Sequence, residues 1–504
     1  MILLDGDTLT LDALLAIADR RAEVGIASDA RERVSRARDV VDTLADGEVP
    51  VYGINTGFGN FAETRIAKRD LAALQVNLVR SHAAGVDQPL SPRAVRAMMT
   101  LRANVLAKGY SGIRPSTLDA LVALINHDVH PLVPSRGSVG ASGDLAPLAH
   151  LALVLIGEGQ TWDGSRTEDG AHALAAAGLL PVVLAPKEGL ALINGTQASA
   201  AVLALAIAGA EQLARAADVI AALTIDALLG SRNPFDPRIH APRPFAGQAA
   251  SADNLWRLIE GSPLNASHAG CGRVQDAYSE RCVPQVHGAA REALAWVRHV
   301  VMVEMNAATD NPMVFAETTE IISGGNFHGA PVALAADLLA MAVTQLATIS
   351  ERRSERLVNP TLSGLPAFLT RHGGLQSGLM LAQVTAAALT SELKTLCHAA
   401  SCDTIPTSAN KEDHVSMSMG AALKAERALQ LARQVLAVEM LCACQAIDLR
   451  APLTSTTALM GAHGAVRAVV PTLQDDRAPS PDIDAIARLL SSGALEYATG
   501  VPVK

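Results

Sequence analysis

Aromatic residues are scarce in this 504-residue sequence, in which Phe, Trp and Tyr together make up 3% of the chain. Hydrophobic residues nevertheless account for 49% of it, and Ala and Leu supply most of that fraction. A sheet rich in aromatic and β-branched side chains is therefore disfavoured, because Ala and Leu have high helix propensity. We expect a mainly α-helical protein.

Cysteine is also rare, with six residues in the whole chain. That number is too small for a disulfide scaffold in a protein of this length. Cys442 and Cys444 form a lone Cys-x-Cys pair, and no second pair completes a zinc site. We expect reduced thiols and no bound metal.

Positive charge is not in excess, since the formal net charge is -9. No run of Lys and Arg forms a patch for nucleic acid, so a small soluble partner is expected. The N-terminus lacks the positive region of a secretory signal, and its apolar start is interrupted by Asp5 and Asp7. The longest apolar run, 198–210, is shorter than the roughly 18 residues of a membrane span and predicts a buried core helix. These features favour a cytoplasmic protein without a membrane partner.

Long helices are predicted in four segments that contain no proline and have apolar residues at helical spacing. They are 198–223, 332–357, 378–398 and 420–447. Their length favours a long-helix bundle. We therefore expect one compact chain with a loop-rich N-terminal region, 1–195, and a region of long and C-terminal helices, 196–504.

A polar stretch at 160–170 predicts a surface turn or small hairpin within the first of these regions.

The glycine-rich stretch GSVGASGDLAPLAH, 137–150, does not fit the common catalytic motifs. A nucleophile elbow needs glycine two residues after its serine, but Asp144 follows Ser142 at that distance. The stretch has no lysine, which a P-loop requires, and its glycines do not match G-x-G-x-x-G. These three mechanisms are excluded here.

The tripeptide Ala141-Ser142-Gly143 can instead react with itself. Attack of the Gly143 amide nitrogen on the Ala141 carbonyl carbon, with loss of water from the ring and from Ser142, leaves a methylidene-imidazolone (MIO). Glycine gives an unhindered nitrogen and tolerates a bent backbone. The product is an electrophile, which no ordinary side chain supplies, so it would serve as a cofactor made from the chain itself.

Seven motifs in this order resemble the MIO-dependent aromatic amino acid ammonia-lyase family, and they look most like its histidine-specific members. They are YGINTGFG (52–59), SHAAG (81–85), GSVGASGDLAPLAH (137–150), EGLALINGTQAS (188–199), VQDAYSERC (274–282), ISGGNFHG (322–329) and TSANKEDHVSM (407–417). The resemblance implies a fold of the fumarase/aspartase-like superfamily, with the N-terminal region bearing the MIO. It also implies a homotetramer whose active sites each draw on three subunits.

The resemblance assigns one group of residues to the cofactor. Ala141, Ser142 and Gly143 would become the MIO, while Asp144 and Phe327 would help cyclisation and shield the group. No external cofactor is implied.

A second group would handle the amino-acid end of the substrate. Tyr52 would be the base for the β-proton, and Asn194 and Arg281 would hold the α-carboxylate, the arginine through a bidentate pair. Tyr278 and Gln275 would complete this end of the site and its proton traffic.

His82 and Glu412 would face the substrate ring. A buried carboxylate matches a ring N–H and penalises a ring without one. The Ser81-His82 pair and the carboxylate in ANKEDHVSM look like histidine lyases, whereas tyrosine and phenylalanine lyases carry other residues at these places. The implied reaction is conversion of L-histidine to trans-urocanate and ammonia.

Several alternatives stay open at this stage. Taken singly, Tyr52, His82 and Asn194 are compatible with core or turn roles. The sequence after GGNFH is Gly329-Ala330-Pro331, where histidine lyases usually place a glutamate nearby, so a tyrosine or phenylalanine ammonia-lyase or an aminomutase is the runner-up. A non-catalytic helical scaffold leaves the TSANKEDHVSM and VQDAYSERC loops unexplained. A metal-dependent fumarase-like lyase without MIO lacks a ligand cluster of the right spacing.

Overall fold

The computed structural model describes residues 1–57 and 59–504. The chain divides into two compact units. The first unit comprises Met1–Leu205, Arg298–Asp337 and Ala399–Lys424, and the second comprises Ala206–Val297, Leu338–His398 and Ala425–Lys504. The division into 1–195 and 196–504 stays a prediction.

Helices contain 59% of the residues, which confirms the expected mainly α-helical class. In chain order up to residue 267 they are α1 Leu11–Ala18, α2 Ser28–Ala45, α3 Leu71–His82, α4 Pro92–Ala107, α5 Pro115–Asn126, α6 Leu145–Leu155, α7 Gly170–Ala176, α8 Glu188–Ile193, α9 Gln197–Ala227, α10 Pro237–His240, α11 Ala246–Ile259 and α12 Pro263–Ser267. The remaining α-helices are α13 Tyr278–Arg281, α14 Val283–Glu304, α15 Ala330–Val358, α16 Pro360–Ser363, α17 Met380–Leu396, α18 Ser418–Leu449, α19 Thr457–Arg467, α20 Ser480–Ser492 and α21 Ala494–Ala498. Short 3-10 helices occur at Gly59–Phe61, Lys68–Asp70, Asn233–Phe235, Ala367–Leu369 and Ser408–Asn410.

The strands are short and pair two by two. They are β1 Ile2–Leu4 with β2 Val24–Ile26 in parallel, and, antiparallel, β3 Val86–Pro89 with β4 Pro134–Arg136, β5 Gln160–Trp162 with β6 Thr167–Asp169, and β7 Met313–Phe315 with β8 Glu320–Ile322. The β5–β6 pair confirms the hairpin predicted at 160–170.

The four long helices predicted from apolar spacing are all present. The segments 198–223, 332–357, 378–398 and 420–447 correspond to α9, α15, α17 and α18. In the described residues, α9 and α15 are long and apolar enough to cross a membrane by length and composition, but 67% and 72% of their apolar windows are buried within the protein. That burial is typical of core helices in a globular protein.

Helix α4 is the centre of the first unit and packs against α1, α2 and α5. Its N-terminus is stabilised because the Ser91 hydroxyl accepts a hydrogen bond from the Ala94 N–H and Pro92 occupies the first turn. Every residue from 94 to 107 is buried. Two of them are arginines, Arg96 and Arg102, whose charges must be satisfied inside the protein.

Helices α3, α6 and α8 pack against one another in the same unit. Helix α6 begins at Leu145, directly after the Ala-Ser-Gly-Asp segment, while α8 ends at Ile193 and α9 begins at Gln197. The glycine-rich loop before α6 and the short turn at 194–196 are thus both held by buried helices. This arrangement positions the candidate site.

The second unit contains a fully buried ion pair. Arg353 on α15 donates from Nε and Nη2 to the Glu439 carboxylate on α18, at 2.5 and 2.8 Å. The Thr224 hydroxyl of α9 donates to the same carboxylate at 2.8 Å. Both partners of the ion pair are therefore satisfied without water, which makes the loss of either one costly.

We predict that Glu439→Leu lowers the free energy of unfolding by about 3–5 kcal/mol, because it leaves the Arg353 charge buried and unpaired. Denaturant unfolding followed by circular dichroism measures the change. Asp119→Asn, which breaks the exposed Arg31–Asp119 pair, is the control and should cost at most about 1 kcal/mol. Equal effects of the two substitutions would contradict the prediction.

Candidate active site

The Ala141-Ser142-Gly143 segment lies against the turn at 194–196 in the first unit. Gly143 and Gly195 form an isolated parallel bridge, and the Asp144 N–H donates to the Gly195 carbonyl at 2.7 Å. Gly143 has a φ of +71°, and a Cβ at this position would overlap the Gly195 carbonyl oxygen. Only glycine fits there without strain.

Asp144 is fully buried and ties this loop to the first turns of α9. Its carboxylate accepts hydrogen bonds from the Ser138 hydroxyl at 2.8 Å and from the Ser199 N–H and hydroxyl at 2.7 and 2.8 Å. Burial raises the pKa of the Asp144 carboxyl, while the bonds from Ser199 and Ser138 oppose that rise. Asp144 therefore fixes the C-terminal end of the tripeptide.

Two later segments of the chain hold the N-terminal side of the same loop. The Ser416 hydroxyl donates to the Gly140 carbonyl at 2.9 Å, and the Met417 N–H donates to the Val139 carbonyl at 2.7 Å. The Gly329 N–H also lies 3.2 Å from the Gly140 carbonyl. The motifs ISGGNFHG and TSANKEDHVSM are thus brought to the tripeptide loop. Phe327, two residues before Gly329, is half-buried.

Ser142 is held between an amide and a carboxylate. Its hydroxyl donates to Glu412 Oε1 at 2.6 Å, and its carbonyl accepts from Asn194 Nδ2 at 3.2 Å. The Thr407 hydroxyl donates to the other Glu412 oxygen at 2.5 Å. Asn194 is buried, and in the described part of the chain its Oδ1 has no hydrogen-bond partner. An unpaired buried amide oxygen of this kind is available to a ligand that can donate.

His82 ends helix α3 and is electrostatically coupled to Glu412. Its Nδ1 lies 2.8 Å from the Leu78 carbonyl, so Nδ1 carries the proton and Nε2 is the acceptor of the neutral ring. Burial lowers the pKa of His82, and the Leu78 carbonyl and the Glu412 charge oppose that shift. The lowered pKa favours the neutral imidazole, which lies close enough to Glu412 to be affected by its charge.

Tyr52 lies in the loop after α2, also in the first unit and half-buried. Its hydroxyl accepts from the Gly59 N–H at 3.5 Å. The loop is held by Asn55, whose side chain accepts from the Val51 N–H at 2.7 Å. Phe58 of the YGINTGFG motif lies outside the described residues.

Three predicted site residues, Gln275, Tyr278 and Arg281, belong to the second unit. Tyr278 is 72% exposed, and the Arg281 guanidinium lies 4.6 Å from the centre of its ring. Gln275 and Arg281 also line a cavity of about 770 Å³ within that unit. Within the first unit, hydrogen bonds thus join Ser142 to Asn194 and Glu412, and His82 is affected by the Glu412 charge. Within the second unit, Gln275, Tyr278 and Arg281 lie close together in the sequence and form a group of their own.

Sequence reasoning missed several supporting residues. Arg102 is fully buried and donates to the Asn194 carbonyl at 2.7 Å. Ser138 and Ser199 hold Asp144, and Thr407 holds Glu412. Three of the four lie inside or beside the quoted motifs. Arg102 lies in none of them, and because α4 also contains buried Arg96, Thr100 and Asn104, no local signal singles it out.

The geometry of residues 141–143 fits the condensed ring that the resemblance implies. Ala141 is small and buried, Gly143 has the bent backbone that closure requires, and Ser142 presents its hydroxyl to a carboxylate. Asn194 and Asp144 grip the segment on either side of the reacting atoms.

Comparison with known proteins decides the family. Residues 9–468 match the aromatic amino acid lyase family. The chain belongs to that family. It is 58% identical over 505 residues to a histidine ammonia-lyase of Anaeromyxobacter sp. (strain K), which covers 98% of this chain and 99% of that protein.

Solved structures of the same family have the same fold. The histidine ammonia-lyase of Trypanosoma cruzi superposes with a TM-score of 0.92 at 45% identity, covering 99% of this chain and 95% of that one. The tyrosine aminomutase of Streptomyces globisporus superposes with a TM-score of 0.95 at 38% identity, covering 100% of both chains. The protein is therefore an aromatic amino acid lyase with the long-helix fold expected from the motifs, and it is an enzyme.

We predict that Glu412→Gln lowers the pKa of His82 further, because the carboxylate charge is one of the two influences that raise it. In the wild type the folded ring should titrate below the ordinary value of about 6.5. The neutral ring therefore contributes to the free energy of unfolding. That contribution is complete above a pH of about 6.5 and is lost as the pH falls towards the pKa of the folded state. NMR of ring-labelled histidine, with the His82 signal assigned by its loss in His82→Gln, measures the shift. A rise in the His82 pKa in Glu412→Gln would contradict this account.

Proposed function

We propose that the protein catalyses the non-oxidative deamination of L-histidine to trans-urocanate and ammonia. The observation that carries this proposal is the contact between Ser142 and Glu412, with the neutral ring of His82 coupled to the same carboxylate. These contacts bring two polar side chains, Glu412 and His82, close to the tripeptide, where they could bind the imidazole ring of a histidine substrate. The protein is a member of the aromatic amino acid lyase family.

We propose further that Ala141, Ser142 and Gly143 form an MIO, with Asp144 and Phe327 assisting closure and shielding. When formed, this group would supply an electrophile that makes the substrate amine a better leaving group. Asn194 would hold the MIO through its side-chain N–H, since that N–H already donates to the Ser142 carbonyl.

The chain's own side chains would do the binding and the proton transfer. The β-hydrogen of the substrate is a very weak acid, so a strong and well-placed base is needed, and we assign that role to Tyr52. Arg281 would bind the α-carboxylate through its planar fork, with Asn194 as second donor. Gln275 and Tyr278 would complete the amino-acid end of the site.

Substrate choice would depend on the ring end of the site. Glu412 can accept a hydrogen bond from an imidazole N–H, and the acceptor Nε2 of neutral His82 is a second polar match. A phenylalanine ring has no hydrogen-bonding group and would leave both unpaired in a half-buried place, which costs binding energy, whereas the single hydroxyl hydrogen of tyrosine could pair with only one of them.

The proposed assembly is a cytoplasmic homotetramer with shared active sites. Its support is the exposure of Tyr278 and Gln275 in the single chain, because functional side chains on an open segment need further surface to enclose a substrate. Closed symmetry is the usual outcome when identical chains complete each other's sites.

The second candidate is a tyrosine or phenylalanine ammonia-lyase, or an aminomutase that returns the ammonia to the β-carbon. It is favoured by the likeness in fold to an aminomutase and by Gly329-Ala330-Pro331, where a glutamate is usual in histidine lyases. The three activities give different products, so one assay separates them.

The test is incubation of the purified protein with histidine, tyrosine and phenylalanine in turn, followed by the ultraviolet spectrum and mass of each product. Urocanate from histidine alone is expected. Glu412→Gln should lower kcat/KM for histidine by about 10–100-fold, the equivalent of a lost 1.5–3 kcal/mol hydrogen bond to a charged group. Glu168→Gln, at an exposed carboxylate of β6, is the control. A cinnamate product or a β-amino acid would replace this proposal with the second candidate.

Tyr52→Phe should lower turnover by at least about a hundredfold, as expected for loss of a general base. The near-ultraviolet absorbance of the MIO should stay unchanged, because the tripeptide is not altered. Turnover close to that of the wild type would remove Tyr52 from the mechanism.

A further inference from the structure

Gly143, whose backbone has a positive φ, packs directly against the Gly195 peptide. The Asp144 N–H donates to the Gly195 carbonyl at 2.7 Å, and no side chain fits between the two glycines. Any shift of residue 195 is therefore transmitted to the nitrogen of Gly143. That nitrogen is the nucleophile in the proposed ring closure.

Arg102 binds the backbone on both sides of Gly195 and packs against that residue. Its Nη1 donates to the Asn194 carbonyl at 2.7 Å and to Gln197 Oε1 at 2.6 Å, and its Nη2 donates to the Ala191 carbonyl. A Cβ added at Gly195 would lie 2.5 Å from Arg102 Nη1, so the guanidinium packs directly on this residue. One side chain thus ties the end of α8 to the start of α9 across the turn.

Gln197, which accepts a hydrogen bond from Arg102, is itself held in place. Gln197 Nε2 donates to the Thr309 hydroxyl at 2.6 Å, which leaves its Oε1 facing Arg102. The guanidinium lies at the C-terminal end of α8, where a cation is favoured by the helix dipole. Burial lowers the pKa of Arg102 to about 10, and the Asp310 charge opposes that shift. Arg102 is therefore still charged at neutral pH, and its bonds are charge-assisted.

We propose that Arg102 is a positioning residue for formation of the MIO, because it fixes the Gly195 peptide that presents the Gly143 nitrogen to the Ala141 carbonyl carbon. The inference rests on the proposed function. A small misplacement of reacting atoms costs about a hundredfold in rate, so a loosened Gly195 should slow ring closure even in a correctly folded chain.

The step that Arg102 would assist needs no outside reagent. A bond forms between the Gly143 nitrogen and the Ala141 carbonyl carbon, and the carbonyl oxygen leaves as water with the protons of the Gly143 and Ser142 amides, leaving a C=N bond. Ser142 then loses its hydroxyl and its α-hydrogen as a second water, leaving the exocyclic C=C bond. Nothing is supplied by an oxidant or reductant.

Arg96 offers a matched control. It lies on the same helix, is 3% exposed, and donates to the carbonyls of Ile17 and Ile125 and to Asp128. It thus satisfies backbone groups much as Arg102 does, but its partners lie outside the 141–144 and 194–197 segments. Arg96→Met reports the effect of losing a buried arginine from α4.

The experiment follows maturation of the full chain after a short pulse of synthesis. Intact-mass spectrometry gives the fraction that has become lighter by two water molecules, and circular dichroism with size-exclusion chromatography confirms folding. For Arg102→Met we expect maturation at least about tenfold slower than in Arg96→Met, and for Arg102→Lys, which keeps the charge but loses the planar fork, an intermediate rate. If Arg102→Met is insoluble, slower maturation of folded Arg102→Lys relative to Arg96→Lys is the deciding comparison.

Maturation of the folded Arg102 variants at the wild-type rate would overturn the inference, and so would equal slowing by the Arg96 and Arg102 substitutions. In both of those cases the wild type still loses two waters and the proposed function stands. A wild type that retains its full mass would instead remove the proposed function and this inference together.

Discussion

The hydrogen bond from the Asp144 N–H to the Gly195 carbonyl is the contact on which the candidate site depends. It joins two stretches of chain that are about fifty residues apart, and it forms only because both Gly143 and Gly195 lack side chains at the point of contact. Each stretch is then locked by a helix that begins just after it, α6 in one case and α9 in the other. The bend in the tripeptide is therefore a consequence of packed helices and not of the loop alone.

Several charged side chains bind to the segments that make this contact or to their neighbours in the chain. Arg102 and Lys187 are fully buried, and the Lys187 ammonium donates to the Ser111 carbonyl at 2.9 Å and lies 4.0 Å from Asp310. Glu412 bonds to the Ser142 hydroxyl. Burial of cations is costly unless their donors are satisfied. Here carbonyl oxygens accept from Lys187 and from both terminal nitrogens of Arg102, whereas Arg102 Nε has no hydrogen-bond partner among the described residues. The same bonds that neutralise that cost also hold the backbone around the site.

Much of this architecture could be predicted from the sequence, because long apolar periodicity without proline is a strong signal of helix. The helices α9, α15, α17 and α18 were expected within a few residues of their ends, and the 160–170 hairpin was expected from its turn residues. The motifs also predicted that Ser142, Asn194 and Glu412 share one site. Arg102 could not be predicted, since α4 contains other polar residues, Arg96 among them, and no local pattern shows which of these reaches the candidate site. The other three strand pairs were missed because strands of three or four residues are too brief for an alternating pattern to emerge.

A tripeptide with almost no side chain can carry chemistry only if its backbone is the reactive part, and that constraint explains the pattern of contacts around it. Ser416, Met417 and Asn194 donate to the carbonyls of residues 140, 139 and 142, and Asp144 donates to residue 195. The surrounding polar groups therefore bind main-chain oxygens and leave the carbonyl of Ala141, the one that the proposed ring closure would consume, outside this set of contacts.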